Sequence, residues 1–343
     1  MKRIGNLYDY IISVDNLNAA ERKARHAKGA RSSLKAFDSD REGNIAKLHE
    51  VLAKCEYHTS QYSTFTIYEP KERQICRLPY YPDRIVHHAI MNVMEPIWVS
   101  MFTADTYSCL KKRGIHACAQ AVKRTLREHP EETTYCLKLD IRKFYPSINH
   151  AILKQILRRK LKDDRLLMLL DEIIDSHNTL PPECIRYKGC GIPIGNYLSQ
   201  YLANLYLTYF DHWLKEVKKV RFYYRYADDI VILGDNKEQL HALLHDIRAY
   251  LWENLKMTVK PNYQVFPTDA RGIDYVGYRF WHTHTLIRRC IKCNLCRAVA
   301  KMRKRGITDL KAQRIALCGW IGWAKYADAK NLFKKFKITE LCS

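Results

Sequence analysis

Hydrophobic and polar positions divide the first third of the chain into helices and one pair of strands. The first 60 residues are basic and are predicted to be helical. Residues 62–77 alternate in polarity around Pro70 and Lys71, which predicts two strands joined by a turn. Residues 84–101 form an apolar stretch with a basic start, which predicts a helix with a buried face.

The middle of the chain changes between strand and helix periods. Residues 135–141 alternate in polarity, so that Asp140 leaves a strand on its less apolar face. Residues 198–213 repeat apolar side chains every three or four positions, which predicts a helix. The segment RFYYRYADDIVILGD, residues 221–235, predicts a strand, a tight turn that contains Ala-Asp-Asp, and a second, buried strand.

The remaining segments complete an antiparallel α+β arrangement. Residues 237–252 predict a helix, 256–260 a short strand and 272–281 a hairpin. Residues 284–343 are basic, rich in Trp and predicted to be helical. The order of strand, helix, hairpin, helix and strand is typical of an α+β fold built on an antiparallel sheet.

Charge narrows the class of partner. The 343 residues include 58 Lys and Arg against 36 Asp and Glu, a formal net charge of +22, and 47% are hydrophobic. A folded protein with this basic excess is expected to bind a polyanion, most often nucleic acid; a ribosome-associated or membrane-surface protein is the alternative. No apolar run reaches the roughly 18 residues that a membrane span requires. Scattered cysteines and the absence of a signal-peptide pattern predict reduced thiols and a cytoplasmic location.

Asp140, Asp228 and Asp229 are candidates for a metal site. If the strand of Asp140 lies beside the hairpin, the three carboxylates meet at one edge of the sheet. Mg²⁺ prefers carboxylate oxygens and water, and two such ions about 3.5–4 Å apart catalyse nucleotidyl transfer. Asp is also common in turns, so the Asp pair by itself is equally consistent with a structural turn.

These segments together resemble the polymerase blocks of reverse transcriptases over residues 62–281. LKLDIRKFYPSI and YADDIVIL resemble the two carboxylate blocks of these enzymes, and GIDYVGYRF resembles their primer grip. YEPKERQICRLPYYPDRIVHHAI resembles the fingers block of bacterial and group II intron enzymes. The resemblance implies RNA-templated DNA synthesis from dNTPs with two Mg²⁺ ions, for which Mn²⁺ is a substitute.

The same resemblance implies a right-hand polymerase with an antiparallel-sheet palm and a helical thumb. The implied divisions are an N-terminal extension with fingers in 1–134, the first palm segment in 135–149, helices of fingers and palm in 150–190, the palm with the YADD hairpin and primer grip in 191–283, and the thumb in 284–343.

One block departs from the common bacterial form. Most bacterial reverse transcriptases have LPQGSP, whereas GIPIGNYLSQ has Ile194 in place of Gln, followed by Ser199 and Gln200. This pattern resembles the reverse transcriptases of diversity-generating retroelements. That resemblance implies copying of a template-repeat RNA with errors mainly at adenines, a bacterial or phage-encoded enzyme, and a small helical accessory protein that forms a pentameric barrel. Because Ile offers only shape where Gln can hydrogen-bond, a mispair leaves no polar group unpaired and discrimination falls.

The resemblance assigns the metal chemistry to a few positions. Asp140 and Asp228 are expected to be direct ligands, and Asp229 a ligand or an electrostatic helper. Ile141 is expected to offer its backbone carbonyl. Lys260 is a candidate general acid toward pyrophosphate.

Contacts to nucleotide and nucleic acid are assigned from the same blocks. Tyr145 occupies the position of a steric gate against the ribonucleotide 2′-hydroxyl; an ordinary core aromatic is the alternative. The nucleotide-binding candidates are Lys71, Arg73, Arg77, Tyr145, Ile194 and Gly195. The template and primer candidates are Asn196, Gln200, Tyr226, Gly277 and Tyr278. Guanidinium groups clamp phosphate oxygens, but the basic hairpin is also consistent with a solvated charged surface.

The C-terminal region contains two further groups of interest. Residues suited to an RNA–DNA duplex, whose charged backbone would dominate affinity, are Lys301, Arg303, Lys304, Arg305, Trp320 and Trp323. The spacing of Cys290, Cys293 and Cys296 is compatible with zinc, with His282, His284 or Cys318 as a fourth ligand. The same spacing also fits one packed side of a helix.

Other functions are also consistent with parts of this pattern. A retron, abortive-infection or group II intron-like reverse transcriptase is the nearest alternative. An RNA-dependent RNA polymerase is disfavoured, because the hairpin reads YADD rather than GDD and Tyr145 replaces a small polar residue. A catalytically idle RNA-binding scaffold is disfavoured because all three carboxylates are present.

Overall fold

The computed structural model describes residues 3–26, 32–68, 72–179 and 189–338 of the chain. Its helices are α1 (Tyr8–Ile12), α2 (Val14–Arg25), α3 (Ser32–Asp38), α4 (Arg41–Ala53), α5 (Ile85–Val99), α6 (Ile115–Glu128), α7 (Phe144–Ser147), α8 (His150–Lys160), α9 (Asp164–Asp175), α10 (Tyr197–Tyr206), α11 (Thr208–His212), α12 (Lys237–Leu255), α13 (Thr268–Arg271), α14 (Arg289–Lys304), α15 (Leu310–Ala324) and α16 (Lys330–Lys335). Its strands are β1 (Ser63–Ile67), β2 (Arg73–Arg77), β3 (Tyr135–Asp140), β4 (Phe222–Tyr226), β5 (Asp229–Gly234), β6 (Gln264–Pro267), β7 (Ile273–Tyr275), β8 (Tyr278–Phe280) and β9 (Thr285–Ile287). Within these ranges, none of the helices has the length and apolar content needed to cross a membrane.

Close contacts divide the chain into two compact units. The first unit comprises Met1–Thr103, Arg142–Trp213 and Tyr250–Thr258. The second unit comprises Ala104–Ile141, Leu214–Ala249 and Val259–Ser343. Each unit therefore collects segments that are distant in sequence.

In the first unit, the apolar helix α5 is the centre of a helical core. Helices α1, α2 and α10 pack against α5, and its apolar side chains Val86, Ala89 and Ile90 are fully buried. The prediction of a buried helix over residues 84–101 is therefore confirmed. The predicted strand pair is also confirmed, because β1 and β2 pair antiparallel from Ser63 opposite Arg77 to Ile67 opposite Arg73.

The second unit is built on a four-stranded antiparallel sheet with the order β4-β5-β3-β6. Consecutive residues of β5 from Ile230 to Leu233 are buried, so both faces of this strand are covered. Helix α6 contributes Cys118, Val122 and Leu126 to the core on one side. The predicted α+β fold with an antiparallel sheet is confirmed.

Two smaller groups of elements complete the second unit. Strands β7, β8 and β9 form a three-stranded antiparallel sheet, whose Tyr275 and Tyr278 pack into the same core as α6. Helices α14 and α15 pack against each other around Leu295, Val299 and Leu317.

Three sequence predictions are wrong in detail. The strand predicted over residues 256–260 is only an isolated bridge between Val259 and Ile141. Strand β3 ends at Asp140, so Ile141 is the one residue after it that pairs with this segment. The fourth strand of the sheet is β6 instead. The segment from residue 284 begins with β9 rather than a helix, since its residues pair with β8. The helix over 198–213 is interrupted at Leu207, between α10 and α11.

Candidate active site

The turn between β4 and β5 presents two adjacent carboxylates. Tyr226 pairs with Asp229 across the hairpin, so Ala227 and Asp228 form a two-residue loop. Ala227 has a φ of 55°, in the left-handed region that residues other than glycine rarely adopt. Asp228 and Asp229 are both partly buried. The turn therefore fixes two carboxylates at the end of a buried sheet.

Strand register brings a third carboxylate to the same end of the sheet. Asp140 is the last residue of β3 and lies directly opposite Asp229 of β5. Residues opposite each other on antiparallel strands have Cα atoms about 4.5–5.5 Å apart. The N–H of Ile141 donates to the carbonyl oxygen of Asp228 at 3.2 Å, which ties the end of β3 to the turn. The sheet thus places Asp140, Asp228 and Asp229 together.

Burial and mutual repulsion make Asp228 and Asp229 costly to ionise. Burial raises the pKa of Asp228 to about 6, and the negative charges of Asp140 and Asp229 add to this effect. Burial also raises the pKa of Asp229, while the positive charges of Lys138 and Lys260 act in the opposite direction. The negative charge of this site is therefore only partly compensated by the protein.

Lys260 lies against the carboxylate at the end of β3. Its Nζ is 2.6 Å from Oδ1 of Asp140, and its backbone N–H donates to the carbonyl oxygen of Asp140 at 2.8 Å. The side-chain pair does not meet the angles of a hydrogen bond, so it is a contact between charges. Both side chains are partly exposed, and water therefore weakens their attraction.

The carboxylates fit an open Mg²⁺ site that the substrate would complete. Within the described residues, no group of three His, Cys, Asp or Glu side chains is arranged so that it could hold a metal ion. Mg²⁺ commonly binds through one or two protein carboxylates together with substrate phosphates and water, so a group of three is not required. A divalent cation would offset the burial and the carboxylate repulsion that together raise the pKa of Asp228. Asp140 and Asp228, with Asp229 beside them, are the residues that would hold the ions.

In the first unit, the loop before α10 is joined to strand β2. The N–H of Cys76 donates to the carbonyl oxygen of Ile194 at 2.8 Å. Gly195 has a φ of 120°, and a Cβ there would lie 2.7 Å from the carbonyl oxygen of Cys76, so the site accepts only glycine without displacement. Arg77, Gly195 and Asn196 line one cavity of about 330 Å³. Three of the predicted nucleotide and template residues therefore meet at this cavity.

Tyr145 lies in the first unit on the short helix α7. Its ring is partly buried and packs edge to face against Phe144 at 5.5 Å. Its carbonyl oxygen accepts a hydrogen bond from the N–H of Ile192 at 3.1 Å. Tyr145 is therefore attached to the segment that leads into Ile194, and its ring is not enclosed as that of a core aromatic would be.

The sequence profile of a protein family agrees with the polymerase blocks. The family described as "Reverse transcriptase (RNA-dependent DNA polymerase)" matches residues 69–280, more than half of the chain. This chain belongs to the reverse transcriptase family. The match includes all three carboxylates and the loop of Ile194.

Two curated proteins and one solved structure are similar to this reverse transcriptase. Protein YkfC of Escherichia coli strain K12 is 26% identical over 73% of this chain and 74% of its own length. The group II intron-encoded protein LtrA of Lactococcus lactis subsp. cremoris is 22% identical over 62% of this chain, but over only 35% of its own length. Telomerase from Candida tropicalis in complex with a TWJ fragment of telomeric RNA aligns with a TM-score of 0.49 at 11% identity, over 83% of this chain and 59% of that chain.

The predicted primer-side residues of this reverse transcriptase differ in exposure. Tyr226 is partly buried beside the turn. Tyr278 is fully buried, and its hydroxyl donates to the carbonyl oxygen of Trp323 at 3.0 Å. Gly277 has a φ of 86°, and a Cβ there would collide with the ring of Trp323. The side chain of Tyr278 therefore lies in the core of the second unit.

The other predicted contact residues are distributed as follows. Arg73 is exposed at the far end of β2 from Arg77 and does not line the cavity of Gly195. Gln200 is partly buried in α10. Lys71 lies outside the described residues. Basic residues that are exposed at the end of α14 are Lys301, Arg303, Lys304 and Arg305.

The cysteine group on α14 is not a metal site as placed. Cys290 and Cys293 are exposed and Cys296 is partly buried. The buried side of α14 contains Leu295 and Val299 instead. Among the described residues, no His or acidic side chain completes a group with these cysteines that could hold an ion. The packed-helix alternative is also wrong for the two exposed cysteines.

Sequence reasoning missed two residues beside the turn. Arg225 of β4 and Tyr275 of β7 are both completely buried, and both donate hydrogen bonds to backbone carbonyls of the turn. A signal for Arg225 was present, because a charged residue in the otherwise apolar strand FYYRY requires a specific partner. Tyr275 gave no such signal, since a Tyr in a strand is ordinary.

Proposed function

We propose that this reverse transcriptase serves a diversity-generating retroelement and copies a template-repeat RNA into cDNA with errors at adenines. The observation that carries this proposal is the sequence of the loop before α10. Ile194 stands where a glutamine is usual, Gly195 follows, and Ser199 and Gln200 complete the pattern. The family establishes RNA-directed DNA synthesis, and this loop is the feature that points to a mutagenic form of it.

The geometry of the loop explains how Ile194 could act on fidelity. The loop is tied to β2 through the backbone carbonyl of Ile194, not through its side chain. The side chain is partly exposed and has no polar atom. It can therefore hold a base pair by shape only, whereas a glutamine could form a hydrogen bond that a mispair would break. Sites without such polar contacts discriminate less strongly between substrates.

For the chemical step, we assign metal binding to Asp140 and Asp228. When two divalent ions are bound, they activate the primer 3′-oxygen and neutralise the leaving pyrophosphate. Asp229 adds negative charge next to Asp228 and strengthens cation binding. Lys260 compensates the charge of Asp140, and its ammonium group is the candidate proton donor to pyrophosphate. Ile141 holds the turn through its N–H, and its carbonyl is the proposed backbone ligand.

Nucleotide and template are assigned to the residues of the first unit. Arg77 and Gly195 border one cavity. A ligand there can contact both the guanidinium of Arg77 and the backbone at Gly195, which has no side chain of its own. Tyr145 is proposed as the steric gate, because its ring is partly exposed and its backbone is fixed to Ile192. Asn196 borders the same cavity and is assigned to the template.

The proposed partners are a structured template RNA, the RNA–DNA duplex, dNTPs and a small helical accessory protein that forms a pentamer. The net charge of +22 supports a polyanionic partner, and exposed basic residues at the end of α14 supply part of the surface. The proposed setting is a bacterial or phage-encoded element in the cytoplasm of a bacterial host.

A group II intron-like reverse transcriptase is the second candidate. The observation that favours it is the similarity to LtrA, a group II intron-encoded protein. The two candidates differ in fidelity, because only the retroelement proposal requires frequent errors at template adenines.

The deciding experiment measures single-nucleotide incorporation opposite each of the four template bases on an RNA template. We expect the wild-type protein to misincorporate mainly opposite adenine, and I194Q to misincorporate less there while extending correct pairs. The matched control is I315Q, since Ile315 is exposed on α15. Equal and low error at all four bases in the wild type would favour the intron-like candidate. Unchanged adenine errors in I194Q would exclude Ile194 from the mechanism.

A further inference from the structure

The backbone carbonyls of the turn are each held by a different donor. The carbonyl oxygen of Ala227 accepts from Nη1 of Arg225 at 3.2 Å. The carbonyl oxygen of Asp228 accepts from the N–H of Ile141 at 3.2 Å. The carbonyl oxygen of Asp229 accepts from the hydroxyl of Tyr275 at 3.2 Å. Each peptide group next to Asp228 and Asp229 in the turn is thus fixed by its own hydrogen-bond donor.

Arg225 is itself held from several directions. Its side chain is completely buried, and Nη2 lies 3.4 Å from Oγ1 of Thr106, which is also fully buried. Its backbone N–H donates to the carbonyl oxygen of Asp105 at 3.0 Å, and its carbonyl oxygen accepts from the N–H of Tyr107 at 3.0 Å. A planar guanidinium presents its N–H donors in a rigid fork, so the bond from Nη2 to Thr106 fixes the direction of Nη1 toward Ala227. Arg225 is therefore a rigid support for the carbonyl of Ala227.

The strained backbone at Ala227 explains what the hydrogen bond from Arg225 does for the turn. Ala227 has a φ of 55°, a conformation that its Cβ disfavours. Such backbone persists only where surrounding contacts fix it. The hydrogen bond from Arg225 acts on the peptide that joins Ala227 to Asp228, so it stabilises the conformation that sets the direction of the Asp228 side chain.

Tyr275 supports the other side of the turn. Its hydroxyl is within hydrogen-bond distance of the carbonyl oxygens of Tyr224, at 3.1 Å, and Asp229, at 3.2 Å. These residues lie on the two strands of the hairpin, close to the turn. The single hydroxyl proton is shared between these two acceptors, so one buried hydroxyl links both arms of the hairpin at the place where Asp229 begins β5.

We propose that Arg225 and Tyr275 are positioning residues, which fix the turn so that its carboxylates bind the catalytic ions in one arrangement. This inference rests on the proposed metal role of Asp140 and Asp228. Neither residue needs to touch the substrate, because each acts through a backbone carbonyl of the turn. Loss of groups that orient metal ligands costs about 10–100-fold in metal affinity or activity.

The experiment is primer extension on an RNA template with a DNA primer, over a titration of Mg²⁺ at saturating dNTP. We expect Y275F and R225K to raise the Mg²⁺ concentration for half-maximal activity by about tenfold or more. Affinity for the template–primer duplex should be unchanged. The matched controls are Y135F, at the opposite end of β3, and R221K, on the exposed residue before β4.

A purely structural role predicts a different result. If Arg225 and Tyr275 only stabilised the fold, the variants would lower the amplitude of extension and the melting temperature without changing the half-maximal Mg²⁺ concentration. That outcome in both variants would overturn the inference, and if R225K does not fold, Y275F alone decides. D228N in the same assay distinguishes a failure of the proposed metal site from a failure of the positioning role. Extension by D228N would refute the proposed metal site, whereas its inactivity with unchanged Mg²⁺ dependence in Y275F would refute only the positioning role.

Discussion

Lys260 and Asp140 are in contact at the end of strand β3, with 2.6 Å between Nζ and Oδ1. The backbones of the same two residues are joined by the hydrogen bond from the N–H of Lys260. The ammonium group is thus fixed beside the carboxylate that lies opposite Asp229. It offsets part of the negative charge that Asp140, Asp228 and Asp229 create together.

The first prediction concerns the variant K260Q. Without the ammonium group, the carboxylates repel one another more strongly, so the melting temperature in EDTA should fall. The loss should be no more than about 1 kcal/mol, because the ion pair is partly exposed. Added Mg²⁺ should restore more stability to K260Q than to wild type, since the ion supplies the missing positive charge.

Thermal melts with EDTA and with Mg²⁺ test this difference. K237Q is the matched control, because Lys237 is exposed at the start of α12. An equal fall of K260Q stability in both conditions would mean that Lys260 does not act as the counter-charge of this site.

The second prediction is that D228N inactivates the protein and stabilises its fold in EDTA at pH 8. Burial raises the pKa of Asp228 to about 6, above its ordinary value of 3.8. The folded state therefore holds the proton more tightly than the unfolded state, and the stability from this group is lost as the pH rises from about 4 through 6. Asn mimics the protonated form, so D228N should gain on the order of 1–3 kcal/mol at pH 8.

Urea unfolding in EDTA measures this gain, with primer extension as the parallel readout. D235N is the control, since Asp235 is exposed beyond the other end of β5. A D228N protein that is inactive but no more stable than wild type would show that Asp228 does not carry a buried charge.

Much of the second unit could be predicted because its chemistry follows from strand register. The alternation around Asp140 and the apolar arms of the Asp turn predict the sheet, and their pairing places the carboxylates together. The strands β6 and β9 were missed because they are four and three residues long, and such short runs have no distinct period. Their pairing partners, not their own sequences, determine their structure.

The residues that hold the turn in place are harder to predict from the sequence than the carboxylates themselves. Arg225 and Ala227 are only two residues apart, yet their hydrogen bond depends on the left-handed backbone of Ala227, which an alanine does not signal. The resemblance assigns Tyr278 to the primer, and the burial of its side chain depends on packing against Trp323, 45 residues later. Such long-range packing does not appear in local sequence patterns.

The third prediction concerns the acid stability of the first unit. His87 in α5 is buried, its Nε2 has no hydrogen-bond partner, and burial lowers its pKa to about 4. The charge of Asp83 opposes this shift, while those of His88 and Arg84 add to it. The unfolded chain takes up the proton near pH 6.5, so stability falls as the pH drops from about 6.5 to 4, by at most about 3 kcal/mol.

Urea unfolding of wild type and H87L at pH 7, 6 and 5 tests the effect of His87. The stability of H87L should decline less over this range, because leucine has no proton to bind. H245L is the control, since the side chain of His245 is exposed. Parallel pH profiles for wild type and H87L would contradict a buried neutral histidine.

The fourth prediction is that G195A impairs nucleotide use far more than folding. A Cβ at Gly195 would lie 2.7 Å from the carbonyl oxygen of Cys76 and 2.8 Å from Cγ2 of Ile75, so the loop must move away from β2. This movement would disturb the cavity that Arg77 shares with the loop, and a geometric cost of about 1–3 kcal/mol should raise the KM for dNTP roughly tenfold.

G319A is the control, because a Cβ at Gly319 in α15 meets nothing within 4 Å and alanine should stabilise that helix. Steady-state kinetics with each dNTP measure the effect, and a G195A variant with wild-type KM would show that the nucleotide does not use this loop.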